Sequence, residues 1–252
     1  MLERRVVRDT RCLVSFIAAE QSGSSCPTCC LPSRPARCHD APVTNTYGDG
    51  TANEALRHWT IVVPAKGGIN AKTRLAELDD TLRQSIAEAM ALDVVTAARQ
   101  ATRVKRVIVV TSYPALIDGV RRLGADVVPD PGAGLNVAIA AAAAPSPWAV
   151  VLGDLPTLTP SALDAILQDA ENYDACFVQD DAGDGTTMVA AQHEVATHFG
   201  PHSATKHLDA GFVRLQNTPL LARSDVDTVL DLRAARVLGL GTHTAAAVKT
   251  LF

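Results

Sequence analysis

Apolar positions along this chain follow two alternating rhythms. Short Val/Ile/Leu runs, TIVVPA (60–65), RVIVVTS (106–112), ADVVPD (125–130) and WAVVLGD (148–154), predict buried strands. Between them, Leu82, Ile86, Ala89, Met90 and Val94 recur at helical spacing over 80–101. PALIDGVRRLG predicts a helix ending on Gly124, and GLNVAIAAAAA one stopped by Pro145. A further helix starts at Pro160, where Thr159 or Ser161 is placed to cap it. Strands separated by helices of this length imply βαβ crossovers and a mostly parallel sheet, so the expected class is α/β. The later strands DACFVQD, TTMVAA and FVRLQ have shorter connections and predict an antiparallel edge, making the sheet mixed.

The first stretch has neither rhythm. Residues 1–57 contain SGSSCPTCCLPSRPARCHDAP, rich in Ser, Pro and Gly without periodicity, and hold Cys12, Cys26, Cys29, Cys30 and Cys38 of the chain's 6 cysteines. Such a composition predicts a disordered extension, with the folded domain over 58–252. Cys26, Cys29, Cys30, Cys38 and His39 suggest a small zinc site, but no second CxxC completes the ligand set. Residues 4–19 loosely resemble a secretory leader whose apolar part is too short, and a cytoplasmic location is expected.

Charge narrows the classes of partner. Over 252 residues, 23 Lys+Arg against 27 Asp+Glu leave a formal charge of -4, which disfavours a nucleic-acid binder. No run reaches the ~18 uncharged residues of a membrane span.

In parallel α/β sheets ligands bind beyond the carboxyl ends of the strands, so the residues just after each strand carry the chemistry. After the first strand, PAKGGINAKTRL sets Lys66, Lys72 and Arg74 around flexible glycines, with a helix expected to start near Lys72. Cations and close backbone approach there suit phosphate oxygens, although neither a Walker A loop nor GxGxxG is present. Asp154 ends an apolar strand in VVLGDLP, where a carboxylate is costly unless it is paired or holds a cation. In SDVDTVLDL, Asp225 and Asp227 precede a helix; one is expected to cap it, the other to reach a metal, and oxygen donors favour Mg²⁺ over zinc. The loops at 183–187 and 199–207 are polar and glycine-bearing, and backbone N–H groups around Gly200 and Ser203 could form an anion pocket. Cys176, in the apolar run ACFV, reads as core.

In this order PAKGGINAKTRL, PDPGAGLNVAI, VVLGDLP, the GTT loop, FGPHSATKH and SDVDTVLDL resemble the 2-phospho-L-lactate/phosphoenolpyruvate guanylyltransferase family of coenzyme F-420 biosynthesis. The resemblance covers residues 60–245 and leaves the extension outside. It implies a three-layer α/β/α nucleotidyltransferase (Rossmann-like) fold, and transfer of GMP from GTP to the phosphate of a small three-carbon acid with release of pyrophosphate. By motif position it implies Mg²⁺ on Asp154 and Asp225, triphosphate contacts from Lys66, Lys72 and Arg74, and guanosine at Leu135 and Asn136. Thr186, Gly200 and Ser203 correspond to the acid pocket. One departure is Gly67-Gly68 and Asn70, where the family more often has bulkier or Ala-rich residues before AKTRL. Other nucleotidyltransferases, such as molybdenum-cofactor guanylyltransferases, open instead with an LAGGxGxR-type loop, and a GTP-binding module without turnover would not need both aspartates.

Overall fold

A computed structural model describes residues 58–66, 75 and 78–251. The expected disordered extension over 1–57, the cysteines and His39 of the zinc reading, the leader-like stretch, Gly67, Gly68, Asn70, Lys72, Arg74 and the helix start near Lys72 lie outside the described residues. The first four strands are β1 (Trp59–Pro64), β2 (Val104–Val110), β3 (Asp126–Val128) and β4 (Trp148–Val151). They are followed by β5 (Ala175–Gln179), β6 (Thr186–Ala191) and β7 (Val213–Arg214). The helices are α1 (Asp80–Gln100), α2 (Pro114–Arg122), α3 (Leu135–Ala141), α4 (Pro160–Ala170), α5 (Ser203–Asp209), α6 (Val229–Leu238) and α7 (Thr242–Ala247).

The strands form one 7-stranded sheet in the order β3-β2-β1-β4-β6-β5-β7. Pairings among β3, β2, β1 and β4 are parallel, and β6 runs antiparallel to both β4 and β5. The sheet is therefore mixed and mostly parallel, as expected. The reversed strand, however, is interior: β7, at the edge, runs parallel to β5. Chain order reverses between β1 and β4, which opens the crevice where α/β sheets receive ligands. At that crevice a Cβ on Gly153 would sit 3.4 Å from the Pro64 carbonyl oxygen, so the two strand ends pass close together.

Strand alternation divides the core into two faces. Ile61, Val63, Val107, Val109, Ala149 and Val151 pack on one face beneath α1, α2 and α4. Their neighbours Val62, Ile108, Val110 and Val150 face the other way, towards α3, α5 and Phe199. A third cluster joins Ile86 and Met90 of α1 to Val226, Leu232, Ala235 and Val248, holding α6 and α7 against the first layer. Thr159 caps α4 by accepting from Ala162 N–H at 3.2 Å, one of the two caps expected. Helix α3 is shorter than its alanine run because the chain turns left-handed at Ala143 (φ 43).

Two buried polar groups tie distant segments into this frame. On α1, the buried carboxylate of Asp93 accepts from His243 N–H at 2.9 Å and Thr244 N–H at 2.8 Å, satisfying the first turn of α7. Just before that helix, Gly241 N–H donates to the Pro156 carbonyl at 2.7 Å, so α7 braces the turn after Asp154. On the opposite face His207 is 0% exposed, with Phe177, Phe199 and Phe212 rings 5.1–5.5 Å from it. Burial pushes its ring pKa down to about 4, the nearby His198 adds to the shift, and the Ser203 carbonyl opposes it.

Asp93→Ala strips both N–H groups of α7 of their acceptor and is expected to cost about 1–3 kcal/mol in a denaturant titration; an unchanged midpoint would dismiss the brace. Between pH 6.5 and 4 the unfolded chain takes up a proton on His207 that the folded ring refuses. Stability from this group is therefore complete above about 6.5 and fades as pH falls through that window. The Tm of the protein relative to His207→Asn should accordingly narrow on acidification from pH 6.5 to 4, and a parallel pair of curves would contradict this.

Candidate active site

The crevice between β1 and β4 is where chemistry-bearing residues converge. Lys66 lies two residues beyond the end of β1, exposed at the crevice mouth. Asp154 follows β4 after Leu152 and Gly153 and is half-buried, because Leu155 behind it is 0% exposed and pulls the turn into the core. Asp154 and the 220–227 segment meet through the backbone: Val226 N–H donates to the Asp154 carbonyl at 3.0 Å.

The 220–227 segment lacks regular structure after its 3-10 turn (Leu220–Ala222), so its position is set by individual bonds. Thr157 Oγ1–H donates to the Leu221 carbonyl at 3.0 Å and Thr187 Oγ1–H to the Ala222 carbonyl at 2.7 Å. The Arg223 guanidinium reaches the carbonyls of Gln179 and Asp180, each at 3.2 Å. Val226 then drives its side chain fully into the third core cluster, while Asp225 and Asp227 on either side of it stay half-buried. The result is that one carboxylate oxygen each from Asp154, Asp225 and Asp227 lie within 4.8 Å of one another.

Neither of those aspartates caps α6, contrary to the expectation that one would. Thr228 is the N-cap, in a capping box with Asp231: the Asp231 N–H donates to Thr228 Oγ1 at 3.2 Å and the Asp231 carboxylate accepts from Thr228 N–H at 2.8 Å. With a threonine at the cap, Asp227 joins Asp154 and Asp225 as a third member of the cluster. Three hard oxygen donors converging at this spacing match what Mg²⁺ or Mn²⁺ binds, and among the described residues no soft donor joins them.

A second group of polar residues surrounds the start of β6. Gly185 N–H and Gly183 N–H both donate to the Asp180 carboxylate, at 2.8 and 2.7 Å, folding the 180–185 loop over itself. Ala204 N–H donates to the Asp184 carbonyl at 3.1 Å, and the His202 ring meets the Asp184 carboxylate at 2.8 Å. The loop before β6 and the start of α5 are thereby held together, which brings Thr186 and Ser203 into one region. Gly200 and His202 both take positive φ, 128 and 55, as the chain turns into α5. Thr186 Oγ1 sits 3.0 Å from His207 Nδ1 on that helix.

Asn136, at the start of α3, spends its amide within the protein. Its Nδ2 donates to the Phe199 carbonyl at 3.0 Å, and its Oδ1 accepts from Phe199 N–H and from the Thr197 hydroxyl, each at 2.9 Å. Asn136 therefore pins the 197–199 loop directly before Gly200. Leu135 beside it is half-buried against the second core face. Ahead of both, Asp130 folds the glycine-bearing turn by accepting from Gly132 N–H at 2.8 Å, and Gly134 takes a φ of 102.

Sequence reasoning overlooked two features of this region. His207 was in plain view four residues after Ser203, the helical spacing that places it under the helix start. The β-bulge at β6 leaves no mark in TTMVAA: Val178 pairs with Met188 but Gln179 pairs with Thr186, making Thr187 the extra residue. Thr187 then shares the Met188 face and reaches Ala222, while Thr186 is turned to the opposite face and reaches His207.

Comparison with known proteins bears on the fold and the family. The crystal structure of a protein assigned as a nucleotide-diphospho-sugar transferase from Desulfovibrio desulfuricans G20 superposes with a TM-score of 0.57 at 15% identity, covering 77% of this chain and 95% of that one. That likeness concerns the fold. Phosphoenolpyruvate guanylyltransferase of Streptomyces scabiei is 43% identical over 209 residues, covering 77% of this chain and 97% of that protein. The Geodermatophilus obscurus protein of the same name is 44% identical over 204 residues, covering 76% and 94%. A family model described as guanylyl transferase CofC like matches residues 59–251, and with these relatives it shows that the chain belongs to that family.

Proposed function

We propose that this protein is a GTP-dependent guanylyltransferase that moves GMP onto the phosphate of phosphoenolpyruvate, releasing pyrophosphate, in coenzyme F-420 biosynthesis. The observation that carries the reading is the meeting of Asp154, Asp225 and Asp227 at the β1/β4 crevice. Relatives named phosphoenolpyruvate guanylyltransferase, matched over nearly their whole length, support the choice of acceptor. 2-Phospho-L-lactate differs from phosphoenolpyruvate by a few atoms and is the competing acceptor. A cytoplasmic location fits an enzyme that draws on GTP.

The chemistry asks for little covalent work from the protein. An oxygen of the acceptor phosphate attacks the α-phosphorus of GTP in line; a new P–O bond forms as the bond to the β-phosphate oxygen breaks, and pyrophosphate leaves with the electron pair. The attacking group is already ionised at neutral pH, so no general base is needed. Two anions must approach each other, however, and the barrier is lowered by charge neutralisation and by alignment. When bound by Asp154, Asp225 and Asp227, a divalent ion supplies that neutralisation. Lys66, with Lys72 and Arg74 of the same sequence motif, supports the triphosphate with charge-assisted bonds. Leu135 and Asn136 serve the guanosine, and Thr186, Gly200 and Ser203 receive the acid.

Purified protein with Mg²⁺ should release pyrophosphate from GTP, and not from ATP, when phosphoenolpyruvate is added. Turnover with 2-phospho-L-lactate or 3-phosphoglycerate in its place would reassign the acceptor, and silence with all three would reject the reading. Asp154→Ala, Asp225→Ala and Asp227→Ala are each expected to lower kcat at least about 100-fold and to weaken Mn²⁺ binding measured by calorimetry, with Tm unchanged or higher. Full Mn²⁺ affinity in any one variant would remove that aspartate from the site.

A further inference from the structure

The acid pocket rests on Thr186, a hydroxyl that a buried imidazole holds from behind. His198 N–H donates to His207 Nε2 at 3.0 Å, and a backbone N–H has no other role than donor. Nε2 is therefore the acceptor nitrogen, and the proton of the neutral ring sits on Nδ1. Burial among three phenylalanine rings keeps that ring neutral at physiological pH. Nδ1–H faces Thr186 Oγ1, 3.0 Å away, as well as the Ser203 carbonyl, so the threonine oxygen can only accept from the ring and its own proton is left for another partner. Among the described residues Thr186 Oγ1 makes no second hydrogen bond.

Direction of the hydroxyl also indicates which end of the acid it meets. The bulge sends Thr187 to Ala222, on the segment leading to Asp225, and sends Thr186 to the opposite face of the sheet. The phosphate that attacks GTP belongs at the aspartate cluster. What remains of the acid for Thr186 is its carboxylate, and a carboxylate accepts the proton that Thr186 has to give.

We infer that His207 is a positioning residue that fixes the Thr186 hydroxyl as a hydrogen-bond donor to the carboxylate of the acceptor acid. The inference rests on the proposed guanylyl transfer and adds to it a group that touches no substrate. It predicts an effect on capture of the acid, with GTP capture untouched.

Two amide substitutions separate the two ring nitrogens. His207→Asn keeps a donor near the Nδ1 position and loses the acceptor for His198 N–H; His207→Gln keeps that acceptor and loses the donor to Thr186. Both lose the aromatic packing, so stability falls in each. If His207 orients Thr186, His207→Gln raises KM for phosphoenolpyruvate about tenfold or more with KM for GTP and kcat little changed, whereas His207→Asn stays within about threefold. Thr186→Val, which leaves the histidine in place, reproduces the His207→Gln defect and Thr186→Ser restores capture. Equal acceptor KM in the two histidine variants, or a normal KM in Thr186→Val, overturns the role while leaving guanylyl transfer intact. A wild-type protein silent with every acid overturns both.

Discussion

Three carboxylates held within 4.8 Å of one another are a demanding thing to build. Two unit charges about 4 Å apart repel by about 4 kcal/mol in an effective dielectric near 20, so an ordinary surface loop would relax and spread them. Here the loop is prevented from relaxing. Asp154 is clamped between Gly153, pressed on the end of β1, and Leu155, sunk in the core. The partner segment is nailed down at Val226 and bonded along its length through the carbonyls of Leu221 and Ala222 and the N–H of Val226. Apolar burial and backbone bonding nearby thus set the positions of the three carboxylates, a cluster that could hold a divalent cation.

The same device is repeated with polar bracing further out. Asp93 sits on the helix that packs under β1, yet its bonds go to the start of α7, and the residue before α7 holds the turn after Asp154. A Cβ on Gly241 would collide with that carboxylate, which is why the chain bends there on a glycine. Asn136 does the corresponding work across the crevice: its side chain reads the backbone of Phe199, and the turn at Gly200 begins one residue later. A residue singled out by motif position can thus also fix the backbone of a distant loop.

This distinction marks the boundary of what the sequence discloses. The strands β1, β2 and β4 are legible because burial on both sheet faces writes continuous apolar runs, and the long helix α1 because Leu82, Ile86, Ala89, Met90 and Val94 recur at helical spacing. Asp154 is legible for the same reason, being a charge at the end of such a run. FVRLQ misleads: Phe212 and Leu215 are buried while Val213 and Arg214 between them are exposed, so only those two residues pair as strand. Helix α7 is invisible because six residues carry no period and its stabilising carboxylate lies 150 residues away. The joint use of Asp225 and Asp227 is hidden too, since it follows from Val226 finding the core and Thr228 taking the cap.

Least legible of all is the bulge in β6, and it is the feature that decides where the two threonines go. Without it, strict alternation would put Thr186 on the same face as Met188 and send Thr187 towards α5, exchanging their partners. One extra residue reverses this: it gives Thr187 to the segment that carries Asp225 and Thr186 to the buried imidazole. An insertion in the backbone ladder thereby divides adjacent, chemically identical side chains between bracing the segment that carries Asp225 and meeting the buried imidazole. Identity of residue type says nothing about that division; it is a property of register, set by how β5 and β6 pair, and it explains why a site assembled from short weak motifs can still be geometrically specific.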